Sequence, residues 1–337
     1  MVIPLVCFLA DRAGFLDLPD GRKRHDHAVP PLGGAVIFMT FLAFMALYGS
    51  LPWPISVGLA VILVLGIVDD AWEVNAKFKF MIHFFVAFTV VIGGGAQIHS
   101  LGNVLGFGNI DLLWLSIPFS VACVVYIQNA VNMMDGVDGL AGGYSFLALL
   151  WLLLAAFSGL DGIQDEQIPI LIGCLGGFLV YNMRSPFLKS AKIFLGDAGS
   201  VALGLMIAWY AITLSQGVTQ VIKPISVAWI IALPIFDSFA LLVTRLRAGN
   251  SPFRPDRRHF HHHFLNAGFT AGQTSFIIIM YSLLLGFIGF FGIKSGLPEY
   301  ILGWGWICLW IGHTFLTLKS EQFIRLLVLL RTRIQHQ

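Results

Sequence analysis

Charge is what this sequence has least of. Of 337 residues only 11% are Asp, Glu, Lys or Arg, against roughly 25% in an ordinary soluble domain. Hydrophobic residues make up 57% of the chain and the mean hydropathy is +0.83. A water-soluble chain of this length would have to expose much of that apolar surface, so lipid must be its solvent. Cysteine is scarce too. Cys7, Cys123, Cys174 and Cys308 stand singly inside apolar stretches with no CxxC pair, which argues against a disulfide framework or a cysteine metal cluster. Low-complexity tracts, obvious internal repeats and polar blocks long enough for a soluble domain are all absent, so residues 1–337 read as one integral membrane domain. The net charge is +2, and no nucleic-acid partner is expected.

What the sequence has in abundance is apolar runs. They suggest spans near 32–49, 55–68, 80–95, 112–128, 140–158, 167–183, 200–216, 224–243, 275–293 and 300–318. Residues 1–10 look like half of a further span, because ten residues at 1.5 Å each cannot cross roughly 30 Å of hydrocarbon. The first helix is therefore expected to be truncated. The fold class expected is all-α, a polytopic membrane protein of about 10–11 transmembrane helices. Alternating sides across the spans places 11–31, 69–79, 129–139, 184–199, 244–274 and 319–337 together. Those segments hold 18 of the 20 Lys and Arg residues, leaving Lys223 and Lys294 on the other side. The positive-inside rule puts the six segments in the cytoplasm.

Most of the carboxylates gather on the same side. Asp69, Asp70, Asp135, Asp138, Asp197 and Asp256 fall in or beside those segments, and only Asp237 looks embedded in a span. Ion- or proton-coupled transporters usually place several charges at the midplane, at roughly 2.5–3.5 kcal/mol each. Polar chemistry collected at one face suits an enzyme with one water-soluble and one lipid substrate.

Five segments carry that chemistry. The first runs from Asp17 to His25 through Arg22, Lys23 and Arg24; it reads as a topogenic basic loop or as a phosphate site, Arg offering a fixed fork to phosphate oxygens. The second is Gly66-Ile67-Val68-Asp69-Asp70, followed by Glu73, Lys77 and Lys79. Adjacent carboxylates at an apolar helix end repel each other unless a cation sits beside them. The third, Gln128 to Leu140, spaces Asn129, Asn132 and Asp135 three apart on roughly one helix face. With Asp138 and two glycines it forms an oxygen-rich set suited to Mg²⁺. The fourth, Phe194-Leu195-Gly196-Asp197-Ala198-Gly199-Ser200, enters an apolar helix; it reads as an anion site, where backbone N–H groups favour negative charge, or as no more than a capped helix start. The fifth, Ser251 to His263, interleaves Arg254, Arg257 and Arg258 with His259, His261, His262 and His263. Zinc is disfavoured, because there are no nearby cysteines and no HExxH spacing; a diphosphate fits better.

Together, and in order over nearly the whole chain, these segments resemble the polyprenyl-phosphate N-acetylhexosamine-1-phosphate transferase superfamily. The Arg-Lys-Arg-His stretch and the Ser-Pro-Phe-Arg-Pro-Asp-Arg-Arg-His-Phe-His-His loop are most similar to its bacterial branch that uses UDP-N-acetylglucosamine. The resemblance implies Mg²⁺ dependence, with Mn²⁺ able to substitute. It also implies transfer of N-acetylglucosamine 1-phosphate from the UDP-sugar to undecaprenyl phosphate, releasing UMP. That reaction would start a lipid-linked cell-envelope polysaccharide such as O-antigen, with the active site on the cytoplasmic face of the bacterial inner membrane. Asp197 would be the principal metal ligand, assisted by Asn132. Asp69 and Asp70 would be an essential pair near the acceptor phosphate, and Asp135 and Asp138 would hold the nucleotide and metal region. His259, His261 and His262 would bind the diphosphate, and Arg22, Lys77, Asn129 and Arg257 would bind substrate. Glu73 stands where the family often has Asp, and His263 extends the histidine run. A homodimer is compatible with the resemblance. The rival readings are a transferase that makes lipid I from UDP-MurNAc-pentapeptide and, in a different class, a secondary transporter.

Overall fold

The computed structural model describes residues 2–18, 28–49, 51–72, 74–158, 166–217, 220–251 and 258–335. Each of the ten apolar runs is helical. In chain order the helices are α1 (Val2–Ala13), α2 (Gly33–Tyr48), α3 (Trp53–Trp72), α4 (Ala76–Phe88, continued by a π turn to Gly93), α5 (Ser116–Met134) and α6 (Leu140–Phe157). They are followed by α7 (Gln167–Asn182), α8 (Gly196–Ser215), α9 (Pro224–Ile230), α10 (Ala232–Arg247), α11 (Phe260–Asn266), α12 (Ala271–Lys294), α13 (Glu299–Leu318) and α14 (Ser320–Gln335). Among the described residues the only β pairing is three isolated bridges. This is an all-α polytopic membrane protein. Seven helices are long and apolar enough to cross a membrane alone, α9 with α10 makes an eighth as a bent pair, and α2 and α7 are shorter apolar helices.

Three spans reach further than their apolar residues. Helix α3 continues to Trp72, α5 to Met134, and α8 begins at Gly196. The polar motifs therefore sit on helix ends inside the bundle, where an uninterrupted helix keeps every backbone group satisfied. The run at 224–243 is not one straight span: α9 and α10 meet at Ile231 with a 71° bend. Pro234 explains the break, since it has no N–H for the carbonyl of Ile230 and its ring clashes there. Two helices lie in stretches the apolar pattern leaves as polar segments. Helix α11 carries the histidines, and α14 is amphipathic, with arginines among exposed leucines.

Helix α8 is the axis of the bundle. Seventeen of its twenty residues are buried, and α2, α3, α5, α6 and α9 pack around it. By contrast only 22% of α13 and 28% of the α4 span are buried, as expected of helices that face lipid. Small residues allow the close approach. A Cβ on Gly34 would overlap the backbone of Gly199, and one on Gly66 would overlap Ala198. Backbone bonds lock the same corner: Gly33 and Gly34 N–H donate to the carbonyls of Phe194 and Leu195, each at 2.8 Å. Gly196, at φ +73°, turns the chain into α8 in a region where other residues are strained.

Gly34→Leu or Gly66→Val should push α8 off this seat. We expect a stability loss of roughly 3 kcal/mol or more, read as a lower thermal midpoint of the detergent-solubilised protein. Gly312→Ala, whose new methyl meets nothing within 4 Å, is the matched control and should stabilise by at most about 1 kcal/mol.

Candidate active site

The seat of α8 places a carboxylate at its N-terminus. Oδ1 of Asp70, from the end of α3, accepts the N–H of Asp197 at 3.2 Å, satisfying one of the helix's orphan donors. Oδ2 of Asp70 is buried and has no hydrogen-bond partner among the described residues. Asp69 is one residue away but about 100° around the helix, and it faces a different neighbour. Its Oδ1 accepts the N–H of Val74 at 2.7 Å, and its Oδ2 takes the Lys79 ammonium at 2.6 Å. The pair expected to act together is thus divided, Asp70 at the α8 terminus and Asp69 on Lys79.

Lys79 comes from α4 and also reaches Oδ2 of Asp197 at 3.4 Å, so one ammonium bridges two carboxylates. Asp69 is the enclosed partner, with 8% of its side chain exposed, whereas Asp197 keeps 39%; an incoming ligand meets Asp197 first. Nδ2 of Asn132, on α5, donates to Oδ1 of Asp197 at 3.0 Å and to Oγ of Ser200 at 2.9 Å. Asn129, one turn earlier, points elsewhere: its Nδ2 lies 2.7 Å from the Val125 carbonyl and 3.2 Å from Nδ1 of His83. Lys77 is exposed on the first turn of α4. The ammonium that reaches the carboxylates is that of Lys79.

Beyond α5 the chain turns through Asp135 and Asp138. Asp135 is exposed at this turn. The protein around it, and then the charges of Asp197, Asp70 and Asp138, push its carboxyl up to about 8; solvent access tempers the size of that rise but not its direction. Asp138 is tied down by Nε of Arg184 at 2.6 Å, and its backbone carbonyl accepts Oγ of Ser275 at 2.8 Å. Gly139, at φ +78°, starts α6 and donates its N–H to Asn182.

The histidines meet this turn. A Cβ on Gly136 would lie 2.5 Å from Nε2 of His261, so glycine is what lets the imidazole approach. His259 and His261 stack nearly parallel with centroids 5.5 Å apart, and His262 lies 4.3 Å from His261. Burial, and then the neighbouring His262 and His259, lowers His261 to about 3, so it is neutral at pH 7. His263 turns the other way, onto Phe323 of α14. Arg22 and Arg257 lie outside the described residues.

The chemistry of this donor set fits Mg²⁺. A buried carboxylate oxygen lacks a partner and an ammonium stands between two further carboxylates, the arrangement a small hard cation would relieve. Among the described residues no three His, Cys, Asp or Glu side chains converge as a metal cage. Mg²⁺ takes only one or two carboxylates and leaves room for phosphate oxygens.

Carboxylates, an ammonium and imidazoles are thus gathered at one end of the bundle of spans. Residues 52–215 match the glycosyl transferase family 4 profile. The chain is 32% identical over 303 residues to the undecaprenyl-phosphate alpha-N-acetylglucosaminyl 1-phosphate transferase of Escherichia coli K12, covering 87% of this chain and 81% of that protein. It is 31% identical over 334 residues to the protein of the same name from Pasteurella multocida, covering 96% and 92%. The Yersinia pestis protein of that name is similar at 31% over 303 residues, 87% of this chain and 81% of that one. The chain belongs to glycosyl transferase family 4 and is a transferase enzyme.

Lys79 is visible in the sequence motif but has no role there, and neither Arg184 nor a partner for Asp237 can be read from the sequence. Lys79 stands two residues beyond the chosen Lys77, and helical phase within α4 was the available signal. Lys79→Met should leave Asp69 and Asp197 uncompensated. Metal-free protein should then melt a few degrees lower, and added Mg²⁺ should raise its midpoint by more than it raises the wild type. Equal Mg²⁺ shifts in the two proteins would show that the ammonium does not balance this charge.

Proposed function

We propose that the protein transfers N-acetylglucosamine 1-phosphate from UDP-N-acetylglucosamine to undecaprenyl phosphate and releases UMP. The observation that carries this reading is the convergence of Asp69, Lys79, Asn132 and Asp197 where four spans end on one face, beside the Asp135 turn and the histidine helix. A lipid phosphate and a soluble nucleotide sugar can meet at such a place. The names of the similar proteins support the acceptor and the sugar. The distribution of Lys and Arg supports a cytoplasmic orientation, which for a bacterial enzyme means the inner membrane.

In the proposed reaction an oxygen of the acceptor phosphate attacks the β-phosphorus of the donor. The bond from that phosphorus to the bridging oxygen breaks, and UMP leaves with the bonding pair. Mg²⁺, when bound, supplies neutralisation of the diphosphate oxygens. Asp197 and Asn132 would hold it, with Asp135 beside them. Lys79 is placed to offer its ammonium to phosphate once the carboxylates are otherwise compensated, and His259, His261 and His262 line the diphosphate side. A general base is hardly needed, because a phosphate monoester with a second pKa near 6 is already mostly dianionic at pH 7. Positioning and charge stabilisation carry the rate, and Asp69 orients Lys79. A covalent aspartyl-phosphoryl intermediate is excluded in this scheme; exchange of labelled UMP into UDP-N-acetylglucosamine without acceptor would overturn that point.

The reading is tested by UMP release from purified protein with undecaprenyl phosphate and Mg²⁺. Turnover is expected with UDP-N-acetylglucosamine and not with UDP-MurNAc-pentapeptide. Asp197→Asn should lower the rate by on the order of 10³-fold, the scale of losing one electrostatic stabiliser. Turnover with the pentapeptide donor alone would keep the chemistry and reverse the choice of sugar.

The raised carboxyl of Asp135 adds a pH dependence. Its folded-state pKa lies above the ordinary value, so the folded protein binds the extra proton. That stability is complete below about pH 4 and is lost as pH rises toward 8. Metal-free protein should therefore lose thermal stability across that window, and the apparent affinity for Mg²⁺, followed by titration of the melting temperature, should increase from pH 6 to 8. An affinity independent of pH would exclude this carboxyl from the metal region.

A further inference from the structure

Asp237 is a carboxylate deep in the bundle, 4% exposed, on the arm of the bent span that follows the break at Ile231. An unpaired carboxylate in such a place would cost several kcal/mol, and an apolar helix has no packing use for one. Both of its oxygens are engaged, and both by the start of the histidine segment. Oδ2 lies 3.0 Å from Nδ1 of His259, and Oδ1 accepts the N–H of Phe260 at 2.8 Å. The turn that carries the carboxylate is itself tied to α5. Tyr126 donates its hydroxyl to the Ile235 carbonyl and shares a 2.6 Å hydrogen bond with Ser238, whose Oγ also reaches the Pro234 carbonyl. Tyr126 stands on the helix that carries Asn132. Around the pair, Phe236 and Phe260 pack on His313 at 5.9 and 4.6 Å, closing it from lipid.

We propose that Asp237 is a positioning residue for His259: it accepts from Nδ1–H and fixes the ring so that Nε2–H of the doubly protonated imidazole is the group that donates to the donor diphosphate. The logic is that of a carboxylate that sets the orientation of a working imidazole and stabilises positive charge on it when an anion arrives. The inference rests on the donor reading above. The geometry supports more than a helix cap, because a cap needs only the oxygen facing Phe260, while the second oxygen is spent on the ring.

Asp237→Asn separates the two roles. It can still accept from the Phe260 N–H but places an uncharged amide NH₂ opposite Nδ1, which removes both the acceptor for Nδ1–H and the charge that supports a doubly protonated ring. The expected result is a fall of at least 10²-fold in kcat for UMP release, the scale seen when the orienting carboxylate of a catalytic imidazole is neutralised. KM for undecaprenyl phosphate should stay within about twofold and the thermal midpoint should be close to wild type. In a double-mutant cycle His259→Gln together with Asp237→Asn should be no slower than the worse single variant. If Asp237→Asn is not recovered folded, Asp237→Glu, which keeps the charge but moves it by one methylene, enters the same cycle under the same criteria. A variant with wild-type kcat, or a double variant showing the product of both single losses, overturns the proposal. Wild-type protein that releases no UMP from either donor overturns the donor reading and this inference with it, whereas active wild type with an equally active Asp237→Asn overturns this inference alone.

Discussion

The docking of the first turn of α8 against α2 and α3 is the contact on which the rest of the structure depends. Gly34 on Gly199 and Gly66 on Ala198 leave no room for a single methyl group, and in a bilayer such backbone proximity replaces the hydrophobic effect that would drive association in water. The consequence is chemical as well as mechanical. Where the helices touch, the end of α3 delivers Asp69 and Asp70, the start of α8 delivers Asp197, and the Asp70 carboxylate accepts from the backbone of Asp197 itself. Packing and active-site geometry are one contact described twice.

Bringing three acidic residues to one helix end raises an electrostatic problem that the protein solves locally. The Lys79 ammonium bridges Asp69 and Asp197, and Asn132 donates to the remaining side of Asp197. Asp138, close enough to raise Asp135, is neutralised by Arg184. The carboxylates left most open are Asp197 and the exposed Asp135. Charge is thus compensated where it is structural and left accessible where a ligand would enter.

The histidine side is assembled from elements that come late in the chain. Helix α11 is too short to hold itself, and its aromatic and imidazole rings lean on α14 through Phe323, with Phe260, His263 and Phe264 all in contact. From beneath, Asp237 on the bent span secures His259 and the α11 backbone. The 71° bend at Ile231 turns this arm of the span away from a straight crossing, and Pro234 is the residue that imposes it.

The sequence by itself determined that the chain lives in lipid, that it has ten apolar runs which form helices, and that its acidic and basic motifs share one side. Composition, run length and the bias of Lys and Arg are properties of the chain read locally, and the bilayer makes them nearly sufficient. Asp197, Asn132 and the imidazoles were legible as a group for the same reason. Partnership was not. Asp69 and Asp70 are neighbours in sequence, yet helical rotation sends one to Lys79 and the other to the α8 backbone. Lys79 rather than Lys77 faces the carboxylates because of helical phase, and Asp237 meets His259 across 22 residues and a proline bend. Only the tertiary structure decided these pairings, since each depends on how one helix is rotated and docked against another, and that is set by glycine contacts between segments far apart in the chain.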